Sequence, residues 1–340
     1  MRVINRLPPL PHESLESLLG RLGAANRYPN QSWCLPLPQP PAPRDPNRLC
    51  HPAHLKAVGE LFGLDPGEVP KLTLARFEPY LTGIRPRESE EQAGVAAETA
   101  GNGRIEVLER YAHGQGRGKV CRECLRETGA LMLPWSLRLV TACPAHRLLL
   151  SERRGELPTA VSVAEDARGI ALTKLVWSAV GCGESFPPAG LRQETVNLLG
   201  VMGSPGLLCF LRRMGGLLLR HDRGNPALSP VGGDARDIRS LGTGEAHAVL
   251  SVVVGLLLDW PLSWYETLDR IAEGEVEHTR DRVGFPLALA SAFKEAEWRW
   301  LHRSWDTFVE GRARSRPTPG VYAWLHRHYQ GLGPRIVLCT

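Results

Sequence analysis

The stretch VCRECLRETGALMLPWSLRLVTACPAHRLLL, residues 120–150, carries two pairs of soft metal ligands, one near each end. In each pair two residues separate the ligands, which lets both side chains face a single point. Zn²⁺ takes four sulfur or nitrogen ligands in a tetrahedron, and three cysteines with one histidine are a common set. We therefore predict that one zinc ion is bound by Cys121, Cys124, Cys143 and His146.

This ligand set predicts a structural zinc site. A catalytic zinc keeps one position for water, whereas four protein ligands close the site. The intervening MLPWSLRLVTA alternates apolar residues, so we expect a strand that returns to the metal and covers it with Trp135 and Leu139. A redox CxxC motif, or two unrelated cysteine pairs, would not explain the matching spacing of Cys143 and His146.

The other cysteines form no equally clear site. Cys34, Cys50 and His54 offer a second group of ligands, but a long proline-rich loop separates the two cysteines, so we do not predict a second zinc there. The isolated cysteines, expected to be small buried apolar residues, are Cys182, Cys209 and Cys339.

The whole-chain composition is that of an intracellular globular protein. The 340 residues are 43% hydrophobic and 23% charged, which argues against wholesale disorder, and the length allows two or three packed units. Eight cysteines, some of them at CxxC spacing, do not form a disulfide scaffold in a chain of this length. The start lacks a signal-peptide core and no apolar run is long enough to span a membrane. We expect a cytoplasmic, nucleoid-associated protein with no membrane partner.

Helical periodicity dominates the rest of the chain, so we predict a mainly α fold. Residues 12–28 place Leu15, Leu18, Leu19 and Leu22 on one face of a helix.

Residues 53–76 repeat the helical pattern with a break at Gly63, and we expect a second helix to start at Pro66. This spacing fits a helix-turn-helix, and it equally fits any other helical hairpin.

Composition shifts divide the chain into four predicted segments. Residues 1–82 form a helical, helix-turn-helix-like unit, and residues 83–118 form a linker with a short helix. Residues 119–155 form the zinc-binding module with short strands, and residues 156–340 form a helical C-terminal domain. The tryptophans expected to anchor the core of that domain are Trp298, Trp300 and Trp305.

Basic residues concentrate around the zinc segment. Between Arg104 and Arg154 the excess of Lys and Arg over Asp and Glu equals the net charge of +5 of the whole chain. Such a surface can contact the phosphates of a nucleic acid, although a solvated basic face without a ligand explains the same count. The candidate phosphate contacts are Arg117, Lys119, Arg122, Arg126, Arg138, Arg147, Arg153 and Arg154.

Two blocks of the sequence resemble the TniQ family. LPPLPHESLESLLGRLGAANRY, residues 7–28, is similar to the proline-rich start and amphipathic helix of its members, and residues 121–150 are similar to their zinc segment. The resemblance covers roughly residues 5–155, and Arg122 stands where the family often has proline. The matching positions are Glu13, Ser14, Leu15, Ser17, Arg21, Leu22, Ala25 and Asn26, then Cys121, Cys124, Trp135, Cys143, Pro144 and His146.

The resemblance implies a transposition target-site adaptor that is not an enzyme. It would bridge a target-recognition complex, such as an RNA-guided CRISPR effector of the Cascade kind with its guide RNA, to a TnsC-like AAA+ ATPase regulator. It would contact target DNA directly or through that complex, and in some systems it would act as a homodimer. The alternative is a direct, sequence-specific DNA-binding target selector of the TnsD type.

A zinc hydrolase is the competing interpretation from another functional class. The sequence shows no recognisable nucleophile–base pair and no open metal site, and both are features that an enzyme of this kind needs. The residues therefore favour a binding role over a catalytic one.

Overall fold

The computed structural model describes residues 5–28, 45–49, 51–65, 67–82, 111–113, 118–152, 160–222, 225–228, 231, 237–276 and 285–315. Within them the chain is mainly helical with two short strands, so the predicted fold class is confirmed. The chain forms two compact units. The first consists of Met1–Ala189 with Gly203–Leu208, and the second of Gly190–Met202 with Cys209–Thr340. The predicted division into four segments stays a prediction.

The regular elements follow one another along the chain with short turns between many of them. The helices are α1 (Leu15–Ala25), α2 (Pro52–Phe62), α3 (Glu78–Thr82), α4 (Arg122–Thr128), α5 (Ala167–Ala179), α6 (Gln193–His221), α7 (Thr243–Leu258), α8 (Leu262–Val276), α9 (Phe285–Ala292) and α10 (Arg299–Ser315). The strands are β1 (Lys119–Val120) and β2 (Ser151–Glu152), and 3₁₀ helices lie at Pro46–Arg48, Pro70–Leu72, Leu74–Phe77, Leu133–Ser136, Pro226–Leu228, Ile238–Ser240 and Ala296–Trp298.

Helix α1 forms the predicted apolar stripe of the first unit. Ser14 caps its start, because the Ser14 hydroxyl accepts a hydrogen bond from the Ser17 N–H at 3.2 Å. Its four predicted leucines are buried and pack in one cluster with Leu49 and with apolar side chains from α2 and the turns that follow it. The cluster consists of Leu15, Leu18, Leu19, Leu22, Leu49, Val58, Phe62, Val69 and Leu72.

Helix α2 ends at Gly63, whose φ of 65° costs little only for glycine. The second helix predicted after this turn is wrong as a single α-helix. Pro70–Leu72 and Leu74–Phe77 form two separate 3₁₀ turns instead. Pro70 has no N–H to donate, and Thr73 between the turns is extended, with φ −120° and ψ 167°.

The second unit is built on the burial of apolar and aromatic side chains. Helix α7 buries nearly every residue from Ala246 to Leu257, so it is a core helix on all sides. Phe210, Phe293 and Trp298 pack ring against ring, with centroids 4.9 to 6.2 Å apart. Trp298 and Trp305 are buried, which confirms them as core anchors, and Trp300 is partly exposed.

Helix α6 is long and apolar enough to cross a membrane by length and composition. Two features argue that it is instead a helix of a folded core. Gly203 interrupts it, with φ 64° and ψ −179°, a backbone conformation that is essentially restricted to glycine. Beyond the break Arg213 forms an ion pair with Glu295 at 2.7 Å inside the second unit. The helix is therefore weak evidence for a membrane span.

Candidate metal centre

The four predicted zinc ligands meet in the first unit. Each offers one ligand atom, and these atoms all lie within 4.8 Å of one another. The Nδ1 atom of His146 lies 3.5 Å from the sulfur of Cys121, 3.3 Å from that of Cys124 and 3.6 Å from that of Cys143. The sulfurs of Cys124 and Cys143 are 3.6 Å apart. The three cysteines are buried and His146 is half-buried.

These separations fit a tetrahedral metal ion. Zinc–sulfur bonds of about 2.3 Å and zinc–nitrogen bonds of about 2.0 Å give a tetrahedron whose edges are about 3.5 to 3.8 Å long. Four of the six distances between ligand atoms, at 3.3 to 3.6 Å, agree with those edges, and all six lie within 4.8 Å. The cluster can hold a metal ion, and its donor set of three sulfurs and one imidazole is compatible with zinc.

Each ligand pair is held by a tight local turn. Cys121 immediately precedes α4 and Cys124 lies in its first turn, so one helix start presents both sulfurs. In the other pair the carbonyl of Cys143 accepts the N–H of Arg147 at 2.9 Å. Arg147 has a φ of 52°, and this left-handed residue closes the turn that carries His146.

The shared environment pushes the thiol pKa values apart. The hydrogen bond from Cys143, assisted by backbone N–H groups, lowers the pKa of Cys121 to about 5. Burial and the nearby Cys121 thiolate raise the pKa of Cys124 to about 11. The hydrogen bond that Cys143 gives to Cys121, together with burial, raises the pKa of Cys143 as well. A divalent cation would stabilise all three thiolates, because it supplies the positive charge that this small volume otherwise lacks.

Glu127 contacts His146 from the side opposite the ligand nitrogen. Its carboxylate lies 3.2 Å from Nε2 of His146, which leaves Nδ1 to face the sulfurs. Burial lowers the pKa of His146, but the hydrogen bond to Glu127 and the Cys121 charge outweigh it, so the pKa is raised. A carboxylate in this position fixes the tautomer and the ring orientation of a metal-binding histidine. Glu127 was not predicted from the sequence, although its position in α4, about one turn after Cys124, was the available signal.

The scaffold around the ligands differs from the predicted returning strand. Strands β1 and β2 pair antiparallel, with Val120 opposite Ser151, and they bracket the ligand segment. The stretch between the pairs forms the 3₁₀ turn Leu133–Ser136 and isolated bridges, because Pro134 lacks the N–H that a strand ladder needs. Trp135 and Leu139 are both buried, as expected of residues inside the module.

Lys119 is not a phosphate contact, and that prediction is wrong. The residue is only 3% exposed, and its ammonium donates to the carbonyls of Leu137 (2.9 Å), Arg138 (3.2 Å) and Val140. Burial lowers the pKa of Lys119 well below its usual range, and the nearby Arg138 adds to that effect. The side chain ties the end of the 3₁₀ turn to β1 instead of facing solvent.

The other basic candidates have mixed surroundings. Arg126 is 77% exposed but forms an ion pair with Glu123 at 2.7 Å. Arg138 donates from Nε to the Ala112 carbonyl at 2.8 Å. Arg122, the first residue of α4, and Arg147, in the turn that carries His146, are also exposed. The predicted residues Arg117, Arg153, Arg154, Cys34 and Cys50 lie outside the described part of the chain.

A buried polar hub joins the two sequence blocks. Glu13 is fully buried, and its carboxylate accepts hydrogen bonds from the Ser17 hydroxyl at 2.8 Å and from Arg21 at 2.8 and 2.6 Å. The Ser17 oxygen in turn accepts the N–H of Leu131 at 2.9 Å, and Leu131 belongs to the ligand segment. The start of α1 and the metal module are therefore one packed structure.

Comparison with known families also joins the start of α1 and the metal module in one unit of sequence. Residues 5–150 match the model of the family described as TniQ, a range that contains both the polar hub and the four ligands. Searches of curated proteins and of solved structures found no match to the chain.

Proposed function

We propose that this chain, whose residues 5–150 match the TniQ family model, is a target-site adaptor of transposition. The family implies a transposition-associated role in target selection. In the proposal the chain bridges a target-recognition complex, an RNA-guided CRISPR effector such as Cascade, to a TnsC-like AAA+ ATPase regulator. It works by binding in the cytoplasm, on the nucleoid, and performs no catalytic step of its own.

The observation that carries the proposal is the convergence of four ligand atoms inside the family-matched range. Three thiolates and one imidazole complete a tetrahedron, so the ion that we propose, one Zn²⁺ per chain, is structural. When bound, the ion would cross-link α4 to the Cys143 turn, and it would hold a loop-rich surface in a single shape. A rigid surface of that kind is what a bridge between two larger assemblies requires.

The described residues favour the bridge over a direct DNA reader. Fewer basic side chains around the module are available to contact phosphates than the sequence suggests, since Lys119 is buried and Arg126 is paired with Glu123. The turns after α2 offer no continuous recognition helix for a major groove. Lys71 forms an ion pair with Glu68, and Arg76 donates to the Gly181 carbonyl.

The bridge is tested by binding of the full-length, zinc-loaded chain to the AAA+ ATPase encoded in the same element, assembled on double-stranded DNA. We expect co-purification with the unaltered chain and its loss in Cys124→Ser, because the docking surface depends on the metal module. Cys182→Ser is the matched control, since Cys182 lies outside the cluster, and it retains binding. An ATPase complex that binds the chain and Cys124→Ser equally well contradicts the proposal.

A gel shift with the isolated chain separates the bridge from a selector of the TnsD type. We expect only weak, sequence-independent binding at physiological salt, with a Kd of about 1 μM or weaker, and a steep dependence on salt. Tight binding to one sequence over a scrambled duplex at that salt would establish the selector instead.

A further inference from the structure

The short segment of residues 130–133 is bonded directly to the start of helix α1. The N–H of Ser14 donates to the Leu131 carbonyl at 2.9 Å, and the N–H of Leu131 donates to the Ser17 hydroxyl at 2.9 Å. The N–H of Leu133 donates to the His12 carbonyl at 2.7 Å. Glu13 and Met132 form an antiparallel bridge between these contacts. The segment and the cap of α1 thus pair like a short piece of sheet.

The same segment is attached to the helix that carries two metal ligands. The Thr128 hydroxyl donates to the carbonyl of Cys124 at 2.8 Å and accepts the N–H of Ala130 at 3.1 Å. Gly129 ends α4 with a φ of 66°, and its N–H donates to the Leu125 carbonyl at 2.8 Å. The position of residues 130–133 is therefore set by α4, one turn away from the ligand sulfurs.

On the side of α1 the contacts end in a buried charge. Ser17 is buried, and its hydroxyl links the Leu131 N–H to the carboxylate of Glu13. Glu13 is neutralised by Arg21 through two hydrogen bonds. A buried carboxylate that loses a hydrogen-bond donor is left with an uncompensated desolvation penalty. Displacement of one member of this network therefore destabilises the other members.

We propose that the metal centre and helix α1 are one cooperative element, with Ser17 as the positioning residue between them. This rests on the metal centre in the proposed function. When the four ligands are held together, α4 and residues 130–133 are fixed, and Leu131 is then placed to bond Ser14 and Ser17. Helix α1 is ordered by those bonds. By linkage the reverse also holds, so an ordered α1 strengthens metal binding by the same factor.

The first test is hydrogen exchange of the full chain, followed by mass spectrometry, with zinc bound and after removal by a chelator. We expect amides of α1 to exchange at least about tenfold faster without zinc, a factor in the range of typical coupling between sites. Amides of α7 in the second unit are the internal reference and keep their protection. Zinc per chain is measured first by elemental analysis.

The second test uses Ser17→Ala, which removes the hydroxyl between Leu131 and Glu13. We expect faster exchange of α1 with zinc still bound, a smaller further change on chelation, and a zinc Kd raised by about the same tenfold factor. Ser251→Ala is the matched control, because Ser251 is an equally buried helical serine whose hydroxyl has no hydrogen-bond partner in the described residues. It leaves both the α1 exchange and the zinc Kd unchanged.

Unchanged α1 protection after chelation, with faster exchange of residues 121–146, overturns the proposal. An unaltered zinc Kd in Ser17→Ala also overturns it. If Ser17→Ala does not fold, the chelation experiment on the unaltered chain tests the proposal by itself. A chain without stoichiometric zinc removes both the metal centre and this coupling. The binding test with the AAA+ ATPase is scored separately, so failure of the coupling and failure of the adaptor role remain distinguishable.

Discussion

The first unit holds its candidate metal ligands and its buried polar hub among short turns, whereas the second unit packs long helices around aromatic rings. In the first, the ligand segment contains one short helix and one 3₁₀ turn between two-residue strands, and many of its stabilising contacts are hydrogen bonds. In the second, helix α7 alone buries a nearly continuous apolar run. The ligand segment and the second unit therefore depend on different physical sources of stability.

This difference fits the position of the Cys/His cluster that can hold a metal ion. Short turns bury little apolar surface per residue, so they gain little from the hydrophobic effect and need a cross-link to hold one shape. A structural ion, if bound by the cluster, would supply that cross-link. Helices with an apolar circumference gain enough from burial, about 25 cal/mol per Å² of apolar surface, and need no such addition.

The largest expected effect is that of Cys124→Ser, which removes one thiolate ligand. Structural zinc contributes on the order of 10 kcal/mol or more of binding free energy, comparable to the whole stability of a domain, so the metal module should unfold. Limited proteolysis should cut within residues 119–152 while α7 stays protected. Cys182→Ser is the control that should leave the digestion pattern unchanged. A Cys124→Ser chain that resists proteolysis like the unaltered chain contradicts the metal-dependent account of the first unit.

Phe210→Ala should produce the next largest effect, in the second unit. Phe210 is fully buried and contacts Phe293 and Trp298, so truncation should cost about 3 to 5 kcal/mol of unfolding free energy. Urea unfolding, followed by tryptophan fluorescence, measures the loss with and without a chelator. We expect the same cost in both conditions, because this core contains none of the cluster ligands. If the loss of unfolding free energy in Phe210→Ala differs with and without the chelator, the stability of the second unit is not independent of the metal.

A smaller effect is expected for Glu127→Gln in the metal centre. The amide keeps the size of the side chain but loses the charge that orients His146, so zinc affinity should fall about tenfold. Competition with a chromophoric chelator measures the Kd. Glu123→Gln is the matched control on the same helix, since the Glu123 carboxylate pairs with Arg126 and should leave the Kd unchanged. Equal zinc affinities for Glu127→Gln and the unaltered chain would remove Glu127 from the site.

The smallest effect concerns the pH dependence of the first unit. Burial, and then the charge of Arg76, lowers the pKa of His12 below its ordinary value of 6.5. The unfolded chain therefore binds more protons than the folded one at mildly acidic pH. Stability is full above about pH 6.5 and falls as the pH drops from there through the lower folded-state pKa.

His12→Asn tests this dependence while preserving the backbone. Asparagine tolerates the left-handed φ of 59° at this position, and it does not titrate. In excess zinc, the unfolding free energy of the variant should fall less between pH 7 and pH 5.5 than that of the unaltered chain. Identical slopes would mean that His12 does not contribute to the acid sensitivity.

Local patterns predicted the parts of the molecule that depend on near neighbours. The leucine spacing of residues 12–28 predicted α1, because a helix repeats its face every three to four residues. The spacing of the ligand pairs predicted which four residues converge, because each pair closes within one turn. The prediction of a second α-helix after Gly63 was wrong, because the spacing of Val69 and Leu72 also suits 3₁₀ turns. Pro70, which has no N–H to donate, favours the 3₁₀ turns over a continuous α-helix.

The sequence by itself determined which four residues form the Cys/His cluster, the mainly helical fold and the blocks that resemble the TniQ family, since these follow from residue types and short-range spacing. Only the tertiary structure decided that Lys119 points inward to three carbonyls, that Glu127 reaches His146, and that Ser17 joins Glu13 to Leu131. Each of these contacts joins residues that are far apart along the chain. Whether such a side chain points towards solvent or towards the core depends on its tertiary neighbours. Such directions depend on how turns pack against one another, and spacing along a sequence carries no record of that.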